Sequence, residues 1–218
     1  MTDAHFHRLG DTFAAVGGKE FRFLGIHPWS ADNADAECEI DVLRGVLAAN
    51  PSYGVGEIGL DRLKCRKVSE RQREVFAAHL ELASEMGRPV VLHGAKCWGE
   101  VVKMIRPYAR KIPAFLFHGF SRSDGLLPDI VEMNGFVGVG KAVLNDHAVN
   151  YRELVKKLPA DRLVVETDYE GDSIEEQKAL LDSIFGKVET LTSLDKASIA
   201  ANVVSFLKPL SDETVGVV

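Results

Sequence analysis

Short apolar runs alternate with longer amphipathic segments along most of the 218-residue chain, and this alternation restricts the fold more than any other feature. Residues 21–26, 53–57, 89–93, 114–118, 136–139 and 162–167 read as strands. Helix-like stretches stand between them at 39–49, 69–86, 98–106, 127–134 and 151–158, and two more follow at 174–185 and 194–207. Ser69 with Gln72 has the form of a capping box, and Gly87 followed by Pro89 is a stop signal. Strands apolar at nearly every position suit a parallel sheet covered on both faces. With one more strand at the N-terminus the count is about seven. Periodicity leaves open whether the sheet closes into a barrel or stays open and doubly wound. No linker, repeat or low-complexity stretch interrupts the pattern, so a single domain over 1–218 is expected, with a loosely held tail at 211–218.

The apolar fraction of 46% and charged fraction of 27% are those of a globular protein and exclude a largely disordered chain. A formal charge of −6 disfavours sequence-independent coating of nucleic acid, though it leaves room for a nuclease with a local cationic site. Cys38, Cys65 and Cys97 form no C-x-x-C pair, which fits a reducing compartment. No secretion signal opens the sequence, and no apolar stretch nears the roughly 18 residues of a membrane span. A soluble, cytoplasmic protein without membrane partners is expected.

Chemistry gathers at the strand ends. His5 and His7 are two residues apart, so in a strand both rings face one side and reach one metal. Later strands end in Glu57, His93 and His118, and Asp168 follows Glu166-Thr167. If the sheet closes, these ends converge on one face, where barrel enzymes carry their sites. Imidazole and carboxylate together suit divalent ions such as Zn or Mn. A single histidine at a strand end is usually a hydrogen-bonded core or surface residue; the repetition at equivalent ends carries the argument. His79 and His147 lack this placement and read as surface residues. Trp29, after His27-Pro28, reads equally as a ligand-stacking aromatic or a rim residue.

Two other motifs fall away. Gly54-Val55-Gly56-Glu57-Ile58-Gly59 matches G-x-G-x-x-G, but its glycines overlap a strand and the next helix signal is Ser69, so a dinucleotide site is not expected. Nothing in the sequence places a base beside Cys97, which reads as an inert thiol.

Taken in order, Asp3-Ala4-His5-Phe6-His7, Gly25-Ile26-His27-Pro28, Gly56-Glu57-Ile58-Gly59-Leu60-Asp61, Val90-Val91-Leu92-His93, Phe117-His118-Gly119-Phe120-Ser121 and Val165-Glu166-Thr167-Asp168 resemble the TatD family of metal-dependent hydrolases. The segments around Gln72-Arg73-Glu74 and Asn202 are similar too, and the likeness extends over residues 3–207. The resemblance implies a TIM-barrel-like parallel (β/α) barrel of the amidohydrolase superfamily and two divalent ions (Zn, Mn or Mg). It places His5, His7 and Asp168 on one ion, His93 and His118 on the other, and Glu57 between them. It implies that His27 contacts a substrate phosphate, with Asp61, Lys96 and Trp29 as further substrate contacts. Asp168 is the candidate general base, with Glu57 as its catalytic partner. The implied activity is a deoxyribonuclease acting on DNA or another phosphodiester.

Three departures from the family pattern stand out. About nineteen residues separate His7 from His27, where one more strand–helix unit is usual, so a barrel shortened to about seven strands is expected. Such a barrel invites a homo-oligomer to cover its gap. Gly94-Ala95-Lys96 follows His93 in place of Ser-Arg, and Lys is a point charge where Arg is a fork. Tyr169-Glu170-Gly171-Asp172 adds two carboxylates near the mouth. These changes keep two rivals in view: an esterase, amidase or phosphoesterase acting on a small molecule, and a non-catalytic binding protein stabilised by metal.

Overall fold

The computed structural model describes residues 1–8, 10–33, 35–121 and 124–211; from residue 212 the expected loose tail lies outside the described residues. One eight-stranded sheet runs in chain order: β1 (Asp3–Arg8), β2 (Asp11–Val16), β3 (Lys19–Leu24), β4 (Gly54–Asp61), β5 (Val90–Ala95), β6 (Phe115–Phe117), β7 (Gly135–Val139) and β8 (Leu163–Val165). From β3 onward every neighbour is parallel, with a helix in each crossover: α1 (Ala36–Ala49), α2 (Glu70–Met86), α3 (Trp98–Ile105), α4 (Leu127–Glu132) and α5 (Val149–Lys157). Helices α6 (Ile174–Thr192) and α7 (Lys196–Ser211) follow β8.

The sheet curls into a barrel whose seam lies between β1 and the segment after β8. Asp168 N–H donates to His5 O at 3.0 Å, and His7 N–H to Tyr169 O at 2.8 Å. The buried Asp3 carboxylate reinforces the seam by accepting from Thr167 N (3.0 Å), Thr167 Oγ1 (2.7 Å) and Gln177 Nε2 (2.9 Å). Burial pushes the Asp3 carboxyl up to about 6, against the pull of those donors.

The expected shortened barrel is present, with one difference. Seven strands run in one direction, and an eighth, β2, runs against them between β1 and β3. Gly17 and Gly18, at φ +61° and +87°, turn the chain from Val16 to Lys19 in the two-residue form that suits twisted antiparallel strands. A hairpin thus fills the place of a strand–helix unit and keeps the ring continuous. Helix signals hold at their starts: Ser69 Oγ caps Gln72 N at 3.0 Å, and Gly87 ends α2 in the left-handed region. The G-x-G-x-x-G match lies wholly inside β4, so no helix opens on it. That strand also runs four residues past the expected end at Glu57.

Alternate strand residues face two cores. Val55, Leu60, Leu92, Phe117, Val139 and Val165 pack outward with Leu47, Leu80, Val101, Ile130, Val155 and Ile184 of the surrounding helices. Phe23, Val91, Leu116, Phe136 and Val164 point inward, and α7 meets them with Val203, Phe206 and Leu207. The Phe206 ring lies 5.7 Å from Phe23 and 5.9 Å from Phe136, which stand on opposite sides of the ring of strands. Asn202 donates to Ala160 O and Leu163 O, both at 2.8 Å, which pins α7 to the start of β8. The last helix therefore floors the barrel at the ends where the strands begin.

Candidate metal centre

The opposite end is open, with a cavity of about 520 Å³ lined by His7, His27, Trp29, Glu57, His93, His118 and Asp168, and by Asp11, Thr12 and Leu24 of the hairpin. All six donors expected at the strand ends meet at its base. Asp168 sits in the left-handed backbone region, φ +51°, a conformation Asp tolerates better than most residues. Its Oδ1 lies 3.8 Å from His5 Nε2, 3.6 Å from His7 Nε2 and 3.6 Å from His118 Nε2.

His5 Nε2, His7 Nε2, Glu57 Oε2 and Asp168 Oδ1 form a compact group. The two nitrogens are 3.2 Å apart, and Glu57 Oε2 is 3.6 and 3.7 Å from them. Ligands about 2.0–2.2 Å from a tetrahedral divalent ion stand roughly 3.3–3.6 Å from one another. His5, His7 and Glu57, at 3.2–3.7 Å from one another, have about that spacing, so these residues fit a metal ion, and Asp168 Oδ1 approaches both rings. On the other side of Glu57, Oε1 lies 2.6 Å from His93 Nδ1, 3.9 Å from His118 Nε2 and 3.8 Å from His27 Nε2.

Ionisation follows from this packing. Burial works against the Glu57 carboxylate, yet the surrounding His118, His93 and His5 hold its pKa well below the usual range. Burial also opposes ionisation of Asp168, but His7 and His118 bring it to about 2. His5 is pushed down by burial and by the neighbouring His118. Burial would lower His118 too, but Glu166 and Glu57 overcome it and raise the ring to about 10. In His7, Asp168 and Glu57 similarly outweigh burial.

Two carboxylates stand behind the rings. Asp61 Oδ2 lies 3.0 Å from His93 Nε2 and accepts from Trp29 Nε1 at 2.7 Å. Glu166 Oε1 lies 3.1 Å from His118 Nδ1 and accepts from Gly119 N–H at 2.8 Å. A Cβ at Gly138 would fall on the Glu166 carboxylate, so only glycine leaves it room. Each carboxylate takes one ring nitrogen and turns the other toward Glu57, the arrangement that orients metal-binding imidazoles. Asp61 is 1% exposed and faces His93, away from the open cavity, contrary to the expected substrate contact. Glu166 and Asp3 carry no role in the sequence reading; the signal available is an acidic residue set directly against an apolar strand run, Glu166 after β8 and Asp3 at the start of β1.

His27 fits a donor role. Trp29 N–H donates to its Nδ1 at 3.2 Å, which places the ring proton on Nε2 in the neutral form. Burial lowers its pKa to about 4, so the ring is neutral at physiological pH. Trp29 lines the cavity, 47% exposed, with Lys64 Nζ 3.4 Å from its ring centroid. Lys96 is exposed at the end of β5 and lies on the rim outside the cavity lining. His147 is exposed as expected, but His79 is fully buried in α2. Cys97 is buried and its thiol is pushed up to about 11 by burial, in line with an inert thiol.

The sequence matches the TatD related DNase family model over residues 2–208. The chain belongs to that family. It is 30% identical to the 3'-5' ssDNA/RNA exonuclease TatD of Klebsiella pneumoniae over 66% of this chain and 55% of that protein. It is 28% identical to the uncharacterized metal-dependent hydrolase YabD of Bacillus subtilis over 66% and 56% of the two chains. The chain therefore spans about half the length of the relatives it matches. Its fold is that of YJJV, a TatD homolog from Escherichia coli, with a TM-score of 0.72 at 24% identity over 87% of this chain and 76% of that one. A TatD family hydrolase from Entamoeba histolytica matches with a TM-score of 0.66 at 18% identity over 86% and 72%. No helix among the described residues is long and apolar enough to cross a membrane.

Proposed function

We propose that this TatD family member is a divalent-metal-dependent nuclease that removes nucleotides from single-stranded DNA ends. The spacing of His5, His7 and Glu57, with Asp168 grouped beside His5 and His118, carries the reading, and the exonuclease relatives supply its substrate class. His5, His7, Glu57 and Asp168 would hold one ion, and Glu57, His93 and His118 the second. When bound, such a pair acidifies water and neutralises charge on phosphoryl oxygens.

The chain's own residues do the rest. Asp168, ionised and at the cavity wall, accepts the proton of the attacking water. His27 donates its Nε2–H to a phosphate oxygen without adding charge. Asp61 and Glu166 keep His93 and His118 turned toward Glu57. Hydrolysis breaks the bond from phosphorus to the 3'-oxygen of the preceding nucleotide, giving a 5'-nucleotide and a strand shortened by one.

The test pairs elemental analysis with nucleotide release from 3'-labelled single-stranded DNA, with and without Mn or Mg. Metal-dependent release is expected, and Asp168→Asn should abolish it while leaving the circular dichroism spectrum unchanged. Metal-loaded protein that releases no nucleotide, or an Asp168→Asn variant of full activity, would refute the assignment.

A further inference from the structure

The rim of the cavity is electrically divided. In a chain of net charge −6, the loop after β4 carries Arg62, Lys64, Arg66 and Lys67 within six positions, and the loop after β5 adds Lys96. All five are exposed. Arg62 stands 3.9 Å from Glu100, whereas Arg66, Lys67 and Lys96 have no carboxylate partner among the described residues. Two apolar surfaces lie among them, Trp29 at 47% exposure and Leu63 at 58%. Lys64, packed on the Trp29 ring, joins this loop to the cavity wall.

The far side of the mouth is acidic. In a ring of strands ordered one to eight, β4 and β5 stand opposite β8 and β1. There Glu170 lines the cavity and Asp172 is exposed beside it, neither with a cationic partner among the described residues. Asp11 of the hairpin also lines that wall, paired with Arg22. Lys141 reaches toward the site from the loop after β7, held 3.9 Å from Asp168.

We infer that this division sets the path and the end-selection of a single-stranded polyanion, an inference that rests on the nuclease reading. The strand leading to the scissile phosphate crosses the loops after β4 and β5. Lys64, Arg66, Lys67 and Lys96 neutralise its phosphates there, and Trp29 and Leu63 meet its bases, the pairing of cations with apolar faces that holds single strands. Past the scissile phosphate, one terminal nucleoside fills the pocket beside the hairpin. Glu170 and Asp172 repel any further phosphate, so a strand continuing beyond that nucleoside does not seat.

The experiment measures binding and cleavage of a fluorescent oligothymidylate across a salt series. It compares the parent with an Arg66→Gln, Lys67→Gln double variant. Each phosphate contact contributes roughly 0.7 to the slope of log affinity against log salt for single strands, so the variant's slope should flatten by up to about 1.4. Its turnover of bis(4-nitrophenyl) phosphate, which cannot span the rim, should equal the parent's and reports an intact site. A 3'-phosphorylated strand should be cut more slowly than one ending in a 3'-hydroxyl, and Glu170→Gln should narrow that gap. A parent that cleaves the strand, with slope and KM unchanged in the double variant, overturns the path alone. Equal cleavage of the two strand ends overturns the acidic gate. A parent that hydrolyses the small diester yet neither binds nor cleaves the strand overturns the path and the nucleic-acid reading together.

Discussion

His79 offers a direct check on how the site is supported. It lies on α2 with no exposed surface, its Nδ1–H donating to Val75 O at 2.7 Å and its Nε2 accepting Ile26 N–H at 3.0 Å. That second bond holds the chain next to His27. The Ile26 contact requires the neutral ring, since a proton on Nε2 would face another N–H, whereas the donation to Val75 O survives protonation. Burial lowers the pKa from 6.5 to about 4. The sign follows from linkage: between these values the unfolded chain takes up a proton that the folded one refuses. The full contribution is present above pH 6.5, declines through the interval, and is lost below pH 4. The difference amounts to about 3 kcal/mol, or about 1 M in urea midpoint for an m-value of about 3 kcal/mol/M. His79→Gln places an amide oxygen near the position of Nε2 and does not titrate. Urea melts of metal-free parent and variant from pH 7.5 to 4 should therefore diverge as pH falls, the parent losing about 1 M more. Parallel pH profiles would refute the argument that a buried neutral ring pins this segment.

Three further outcomes follow from the packing. Asp61→Ala frees His93 Nε2 and should weaken divalent-metal affinity by about ten- to a hundredfold with the fold retained, measured by calorimetric titration. Phe206→Ala hollows the floor between Phe23 and Phe136 and should cost about 3–5 kcal/mol in denaturant melts. Chelation should lower the melting temperature and excess Mn or Zn restore it, because an ion at about a hundred times its Kd adds about 2.7 kcal/mol; a melting curve indifferent to metal would argue against a site built for ions.

The strand–helix order and the six donors were legible because each parallel strand is a compact apolar run with its functional residue at or beyond the end. The hairpin strand was not. Asp11-Thr12-Phe13-Ala14-Ala15-Val16 has two alanines and no continuous apolar character, and its one clear signal, Gly17-Gly18, marks a turn without saying what precedes it. His79 was misread although it stands four residues after Val75 and beside Leu80 on the buried stripe; helical spacing placed it inside, and its polarity argued otherwise. Asp61 and Glu166 illustrate another limit. Their role depends on which ring nitrogen each faces, and spacing along a chain carries no such information.

The seam between β1 and the segment after β8 also bears on when the centre comes into being. Asp3 and Thr167, which bond across it, stand 164 positions apart. The proposed ligands of one ion are divided in the same way, His5 and His7 on one side and Asp168 on the other. During synthesis the histidines leave the ribosome first and wait for the last strand to emerge. A partly made chain can build the hairpin and the early crossovers, because their contacts are local, while the distant pairing forms late. The proposed metal centre is therefore incomplete in a nascent chain and is assembled only when the ring has joined.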